Sequence, residues 1–188
     1  ADHELARLTC FIDSNGSADE ATWRRLAPLT DGAMIDLKCF DPDIHQRMTG
    51  QSNEPVLRSI ELLHSMGLLY EVRLLLIPGV NDDPALLART GEWLAGVDPG
   101  MRVKVIGFRR HGARPHEPEL AESTHDHRVV AAQALQVADF DIGIGQLART
   151  DTVEEIARVI GRVHFPLMDL GFDGRGFVGP PVFAVIAG

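Results

Sequence analysis

The chain has 188 residues, 45% of them hydrophobic, enough for one domain with a sizeable core or for a domain with an appendage. Eighteen basic residues against 27 acidic ones leave a net charge of −9, which argues against generic attraction to nucleic acid or to an anionic membrane surface. Two cysteines, Cys10 and Cys39, make no disulfide framework. With no leader pattern and no run of about 18 apolar residues, the expectation is a reduced, cytoplasmic protein.

In chain order, the apolar run Leu8 to Asp13 reads as a strand that feeds the loop Asp13-Ser14-Asn15-Gly16. Ser17 with Glu20 has capping-box spacing, and Trp23, Leu26 and Ala27 give the following helix its apolar stripe until Pro28 and Asp31-Gly32 close it. A second strand, Ala33 to Lys38, leads to a short helix around Pro42 to Met48. A longer helix then carries Val56, Leu57, Ile60, Leu63 and Met66, capped by Ser52 or Asn53 and stopped by Gly67.

Leu69 to Ile77 is nearly continuous apolar sequence around Arg73, as in a parallel strand, and breaks at Pro78-Gly79. Asp83-Pro84 opens a helix that Val97-Asp98-Pro99-Gly100 ends. Arg102 to Phe108 is a fourth strand, and a polar loop from Arg109 to Thr124 precedes a helix from about His125 to Ala138. This fourfold alternation predicts an α/β fold of parallel βα units, either a doubly wound sheet or a barrel segment, with function at the carboxyl ends of the strands. Beyond residue 140 the pattern changes. Residues 1–140 read as the domain and 141–188 as a tail, with a helix at Asp151 to Val163 and a Gly/Pro-rich end offering one short strand at Val182 to Ile186.

Chemistry concentrates at the end of the second strand. Asp36 and Lys38 are one alternation apart, so both heads emerge on the same face while Ile35 and Leu37 point the other way. That geometry suits gripping a zwitterion; an ordinary surface ion pair of little energetic worth is the competing reading. Lys38 as a Schiff-base nucleophile is a further alternative, disfavoured because the neighbouring carboxylate works against the free amine. His111, His116, His125 and His127 offer metal-ligand chemistry, but solvated loop histidines explain them more simply. Arg109, Arg110 and Arg114 form a basic cluster suited to carboxylate or phosphate, or simply a solvated loop.

Taken in order, DSNG after a strand, MIDLK, DIHQRMTGQSN, EVRLLLIPGVNDD and VKVIGF resemble the second half of the glycyl-radical-enzyme activases, radical S-adenosylmethionine proteins similar to pyruvate formate-lyase activating enzyme. The motifs run in register from about Phe11 to Phe108, with weaker similarity through a helix ending near Phe140. The resemblance implies a partial (βα) barrel of the radical SAM type, of which about four βα units are present. It implies S-adenosylmethionine and a [4Fe-4S] cluster, a 5′-deoxyadenosyl radical that takes hydrogen from a glycine of a partner glycyl radical enzyme, and a reductant such as flavodoxin or ferredoxin.

Position by position, the resemblance places Asp36 and Lys38 on the amino-acid part of the cofactor and Arg73 near it. It also implies a monovalent cation held by Asp13, Ser14, the Met34 carbonyl and Asp36, oxygen donors that suit a hard cation. Where the family has a histidine after the aromatic residue of the last strand, this chain has Arg109 after Phe108, and His111 two places later; either is a candidate for contact with the cofactor. The CxxxCxxC and GGE motifs of the family are absent, so Cys10 and Cys39 do not suffice for its cluster. The expectation is therefore the C-terminal portion of an activase, with an open sheet edge at the Leu8 to Asp13 strand. A catalytically inert half-barrel subunit that complements another chain is the alternative.

Overall fold

The computed structural model describes residues 8–110, 120–135, 141–144 and 182–185. The first strand, β1 (Cys10–Ser14), is followed by α1 (Glu20–Leu26), a 3-10 turn (Ala27–Leu29) and β2 (Gly32–Leu37). Two helices, α2 (Pro42–Thr49) and α3 (Glu54–Ser65), lead to β3 (Leu69–Leu76), and α4 (Pro84–Val97) leads to β4 (Arg102–Gly107). Then come α5 (His125–Leu135), β5 (Asp141–Ile144) and, far along the chain, β6 (Val182–Val185). The six strands form one sheet in the order β5-β4-β3-β2-β1-β6, and every adjacent pair is parallel.

Helix positions follow local chemistry. The cap of α1 is Asp19, whose carboxylate accepts the Thr22 N–H at 2.8 Å, rather than the expected Ser17, which turns back to donate to Asn15 at 2.8 Å. Asp83 caps α4 in the same way, accepting the Leu86 N–H ahead of Pro84. At α3 the two expected caps divide the work. Ser52 accepts the Glu54 N–H at 3.2 Å, while the Asn53 side chain turns inward and donates to the carbonyls of Phe40 and Cys39.

The helices settle the alternative the sequence left open. Ile12, Ala33, Ile35, Leu37, Val72, Leu74, Leu76, Val103, Val105 and Ile142 form one core with Trp23 of α1, Val56, Ile60 and Leu63 of α3, Leu87 and Leu94 of α4, and Ala131, Ala132 and Leu135 of α5. A doubly wound sheet needs helices on both faces. Here the strand residues of one parity share a single helical layer, and those of the other parity include the charged side chains Asp13, Asp36, Glu71, Arg73 and Lys104. The fold is α/β, an open parallel sheet of the partial radical SAM barrel type.

One expectation needs amendment. The edge of β1 is not open: β6 pairs with it in parallel, Cys10 opposite Val182 through Asp13 opposite Val185, which satisfies backbone groups that an edge strand leaves unpaired. The strand expected at Val182 to Ile186 is thus present as β6, whereas the helix expected at Asp151 to Val163 lies outside the described residues.

Candidate functional site

The register of the sheet assembles the polar face. Asp13 on β1 is opposite Met34 on β2, Met34 is opposite Glu71 on β3, Asp36 is opposite Arg73, and Arg73 is opposite Lys104 on β4. These residues alternate with buried core positions, so all project away from the helices. The result is a charged floor on an apolar sheet.

Arg73 is its hub. Its guanidinium pairs with Asp13 at 2.6 Å and with Glu71 at 2.9 Å, and its remaining nitrogen lies against the Met34 sulfur. Only 17% of the side chain is exposed, so burial opposes its charge; the hydrogen bonds it donates to Glu71 and Asp13 outweigh that cost and raise its pKa above the ordinary value. Toward the amino ends of the strands the face is closed by rings. Phe11 packs on Tyr70 with centroids 4.5 Å apart, and the Arg102 guanidinium lies 4.4 Å over the Tyr70 ring. Gly32 makes this possible, since a Cβ there would lie 2.7 Å from the Phe11 ring.

At the carboxyl ends, Lys38 Nζ reaches Asp36 Oδ2 at 2.7 Å, with both side chains somewhat over a quarter exposed. The sequence-based expectation that both heads emerge together holds. Behind the pair, Asn81 is 5% exposed and donates to the Lys38 carbonyl at 2.7 Å and to the Leu75 carbonyl at 2.6 Å, while its own oxygen accepts the Ile77 N–H at 2.7 Å. One amide thereby ties the exits of β2 and β3 together. The backbone after Lys38 is pinned again at Cys39, whose carbonyl accepts from Asn53 and lies 3.1 Å from Nδ1 of the buried His45. Burial holds the His45 pKa below its ordinary value and pushes the Cys39 thiol up.

The remaining sequence candidates divide. Ser14 Oγ accepts the Gly16 N–H at 3.1 Å, within the loop that leaves β1. Arg109 pairs at 3.0 Å with Glu122, which also accepts the Arg110 N–H, and these contacts lower the Glu122 pKa, the Arg110 backbone bond foremost. His111, Arg114 and His116 lie outside the described residues. His127 sits in the first turn of α5, its N–H donating to Thr124 at 3.2 Å. Among the described residues no group of three or more His, Cys, Asp or Glu side chains could hold a metal ion.

Glu71, Asn81 and Lys104 were not singled out from the sequence. Glu71 was legible, because it stands two positions before Arg73 in the same strand. Asn81 and Lys104 acquire meaning only through register and chain return.

A polar floor at the strand ends of a half-barrel is a fold with known relatives. Residues 2–89 match the Radical SAM superfamily. The match takes in somewhat under half of the chain. Its relatives include the pyruvate formate-lyase-activating enzymes of Staphylococcus aureus strains USA300 and COL, each 28% identical over 136 residues, covering 66% of this chain and 54% of the relative. The chain thus spans about half the length of the curated relatives it matches. Among solved structures, a domain of pyruvate-formate lyase-activating enzyme from Bacteroides vulgatus superposes with a TM-score of 0.59 at 22% identity, over 72% of this chain and 80% of that one, a likeness of fold.

The radical SAM family implies S-adenosylmethionine and a [4Fe-4S] cluster, and the two groups fare differently here. The adjacent carboxylate and ammonium of Asp36 and Lys38 fit the two ends of an amino acid. The cluster does not fit this chain: Cys39 is 5% exposed with its thiol pushed up by burial, and Cys10 lies on β1 with no other cysteine to join it. No described helix is long and apolar enough to cross a membrane.

Proposed function

We propose that this chain supplies the cofactor-positioning half of a glycyl-radical-enzyme activase, with Asp36 and Lys38 exchanging their mutual pair for the zwitterion of S-adenosylmethionine. The single observation that carries this reading is the Lys38–Asp36 contact at 2.7 Å, partly exposed on the polar face at the strand ends. Asp36 accepts from the cofactor's ammonium and Lys38 donates to its carboxylate. The exchange replaces one charge-assisted hydrogen bond by two, so the ligand's charges are matched without an unpaired group being left behind.

Arg73 acts one layer below. By pairing with Asp13 and Glu71 it offsets part of their charge beneath the ligand position. A monovalent cation held by Asp13, Ser14, the Met34 carbonyl and Asp36 belongs to the same proposal and requires Arg73 to release Asp13. Arg109 and His111, on the loop after β4, are the proposed contacts on the far side of the cofactor.

In this reading the cluster, which with an electron from a flavodoxin or ferredoxin would cleave the cofactor to a 5′-deoxyadenosyl radical for hydrogen abstraction from the partner enzyme's glycine, is held by residues other than those of this chain. The cluster-bearing half then belongs to the same longer polypeptide or to a chain that this half-barrel complements. A Schiff-base role for Lys38 is less well supported, since its ammonium is already paired with Asp36.

Titration calorimetry with S-adenosylmethionine tests the assignment. Removing a charge-assisted hydrogen bond in Lys38→Ala is expected to weaken binding by about 10- to 100-fold. Equal affinity of the two proteins would reject it.

A further inference from the structure

Lys38 lies one residue beyond the end of β2, and the last register pair between β2 and β3 is Leu37 opposite Leu74. The ladder therefore does not hold the residue whose ammonium faces Asp36. Side chains from three other parts of the chain hold it instead. The Lys38 carbonyl accepts from Asn81 at 2.7 Å. Asn53 Nδ2 donates to the Phe40 carbonyl at 2.7 Å and to the Cys39 carbonyl at 3.3 Å. His45 Nδ1 lies 3.1 Å from the same Cys39 carbonyl, and since a carbonyl only accepts, that nitrogen is assigned the hydrogen. The Asp41 carbonyl accepts the His45 N–H at 2.9 Å, so four successive carbonyls after β2 are engaged. His45, Asn53 and Asn81 are all buried, so protein groups rather than water satisfy this segment.

Asparagine is among the strongest helix caps, and Asn53 occupies the N-cap position of α3, yet its side chain makes no cap bond. Ser52 covers the Glu54 N–H in its place. The Asn53 amide is thus directed to the segment behind Lys38 rather than to the helix it starts. We propose, on the reading of Asp36 and Lys38 as the zwitterion site, that Asn53, with His45, is a positioning residue for Lys38 and thereby sets the preference of the site for a ligand that carries a carboxylate beside its ammonium. Lysine has a flexible four-carbon stem, so its head reaches a defined point only when its backbone is held. Asp36 needs no such help, because it lies within β2 in register with Arg73. The clamp therefore acts on the carboxylate end of the zwitterion alone.

Calorimetry with S-adenosylmethionine and with decarboxylated S-adenosylmethionine, which keeps the ammonium and the adenosine, separates this role from a general structural one. Asn53→Ser retains a capping oxygen at the start of α3. It is expected to weaken S-adenosylmethionine about tenfold without weakening the decarboxylated compound, the same pattern as Lys38→Ala. In the double variant Lys38→Ala, Asn53→Ser the loss is no greater than in Lys38→Ala alone. His45→Phe, which keeps a ring and leaves Asn53 on the Cys39 carbonyl, is expected to show the same selective loss at smaller size, and it decides the matter if Asn53→Ser fails to fold. Variants that bind both compounds as the wild type does, or lose both to the same extent, overturn the proposal and leave the reading of Lys38 intact. Equal affinity of Lys38→Ala and wild type for S-adenosylmethionine rejects that reading and the role of Asn53 with it.

Discussion

Arg73 stands between two carboxylates that have little access to water, and its removal leaves them facing each other. Asp13 and Glu71 have side-chain exposures of 28% and 11%. Arg73→Leu is therefore expected to destabilise the fold by roughly 2–4 kcal/mol, because two partly desolvated charges lose their counter-ion, and denaturant unfolding measures it. Arg73→Lys rescues little, since one ammonium cannot reproduce two guanidinium contacts in a fixed fork. His45 gives a pH signature. Its folded pKa is lowered by burial, so the unfolded chain binds the proton first as pH falls below about 6.5. The stability associated with neutral His45 is present above that pH and is lost as the pH falls toward the folded pKa. The drop in unfolding free energy between neutral and mildly acidic pH is expected to be smaller in His45→Gln; an identical drop would show that His45 is not the group responsible.

At the scale of elements, the strand exits are held by side chains rather than by the ladder. Asn81 bonds the Lys38 carbonyl just past β2, the Leu75 carbonyl of β3 and the buried Ile77 N–H, so Asn81→Ala leaves that N–H without its side-chain acceptor and is expected to cost about 2–3 kcal/mol. The same variant is expected to weaken S-adenosylmethionine binding, because the Lys38 carbonyl loses its anchor. An effect on stability alone would confine Asn81 to folding.

Much of the element order was legible in the sequence, because 3.6-residue and continuous-apolar patterns are local, as are the Asp83-Pro84 start and the Gly67 stop. The cap of α1 was misplaced because two oxygen-bearing residues, Ser17 and Asp19, compete within three positions, and Asn15 engages the first. Asp36 and Lys38 were legible because same-face pairing within a strand is a two-residue rule. The Asp13–Arg73 contact and the Arg73–Lys104 opposition were not, because both depend on strand register between distant segments.

The whole molecule is a sheet with one apolar and one charged face, and its order places β6 against β1. A chain shortened to end before Val182 is expected to self-associate through the freed β1 edge, which sedimentation velocity detects. A shortened chain that stays monomeric and as stable as the parent would show that the β1 edge has no need of β6. Besides the charged face, the helical side carries a groove of about 690 Å³ between α1 and α3, lined by Trp23, Arg58 and Glu61.

The proposed site for S-adenosylmethionine is the charged face at the strand ends. The most direct measurement is an amide chemical-shift map of the isotopically labelled chain during titration with that cofactor. The largest shifts are expected at Asp36, Lys38, Cys39 and Asn81, with the α1 and α3 groove unperturbed. Shifts centred on Trp23, Arg58 and Glu61, with Asp36 and Lys38 unmoved, would contradict it.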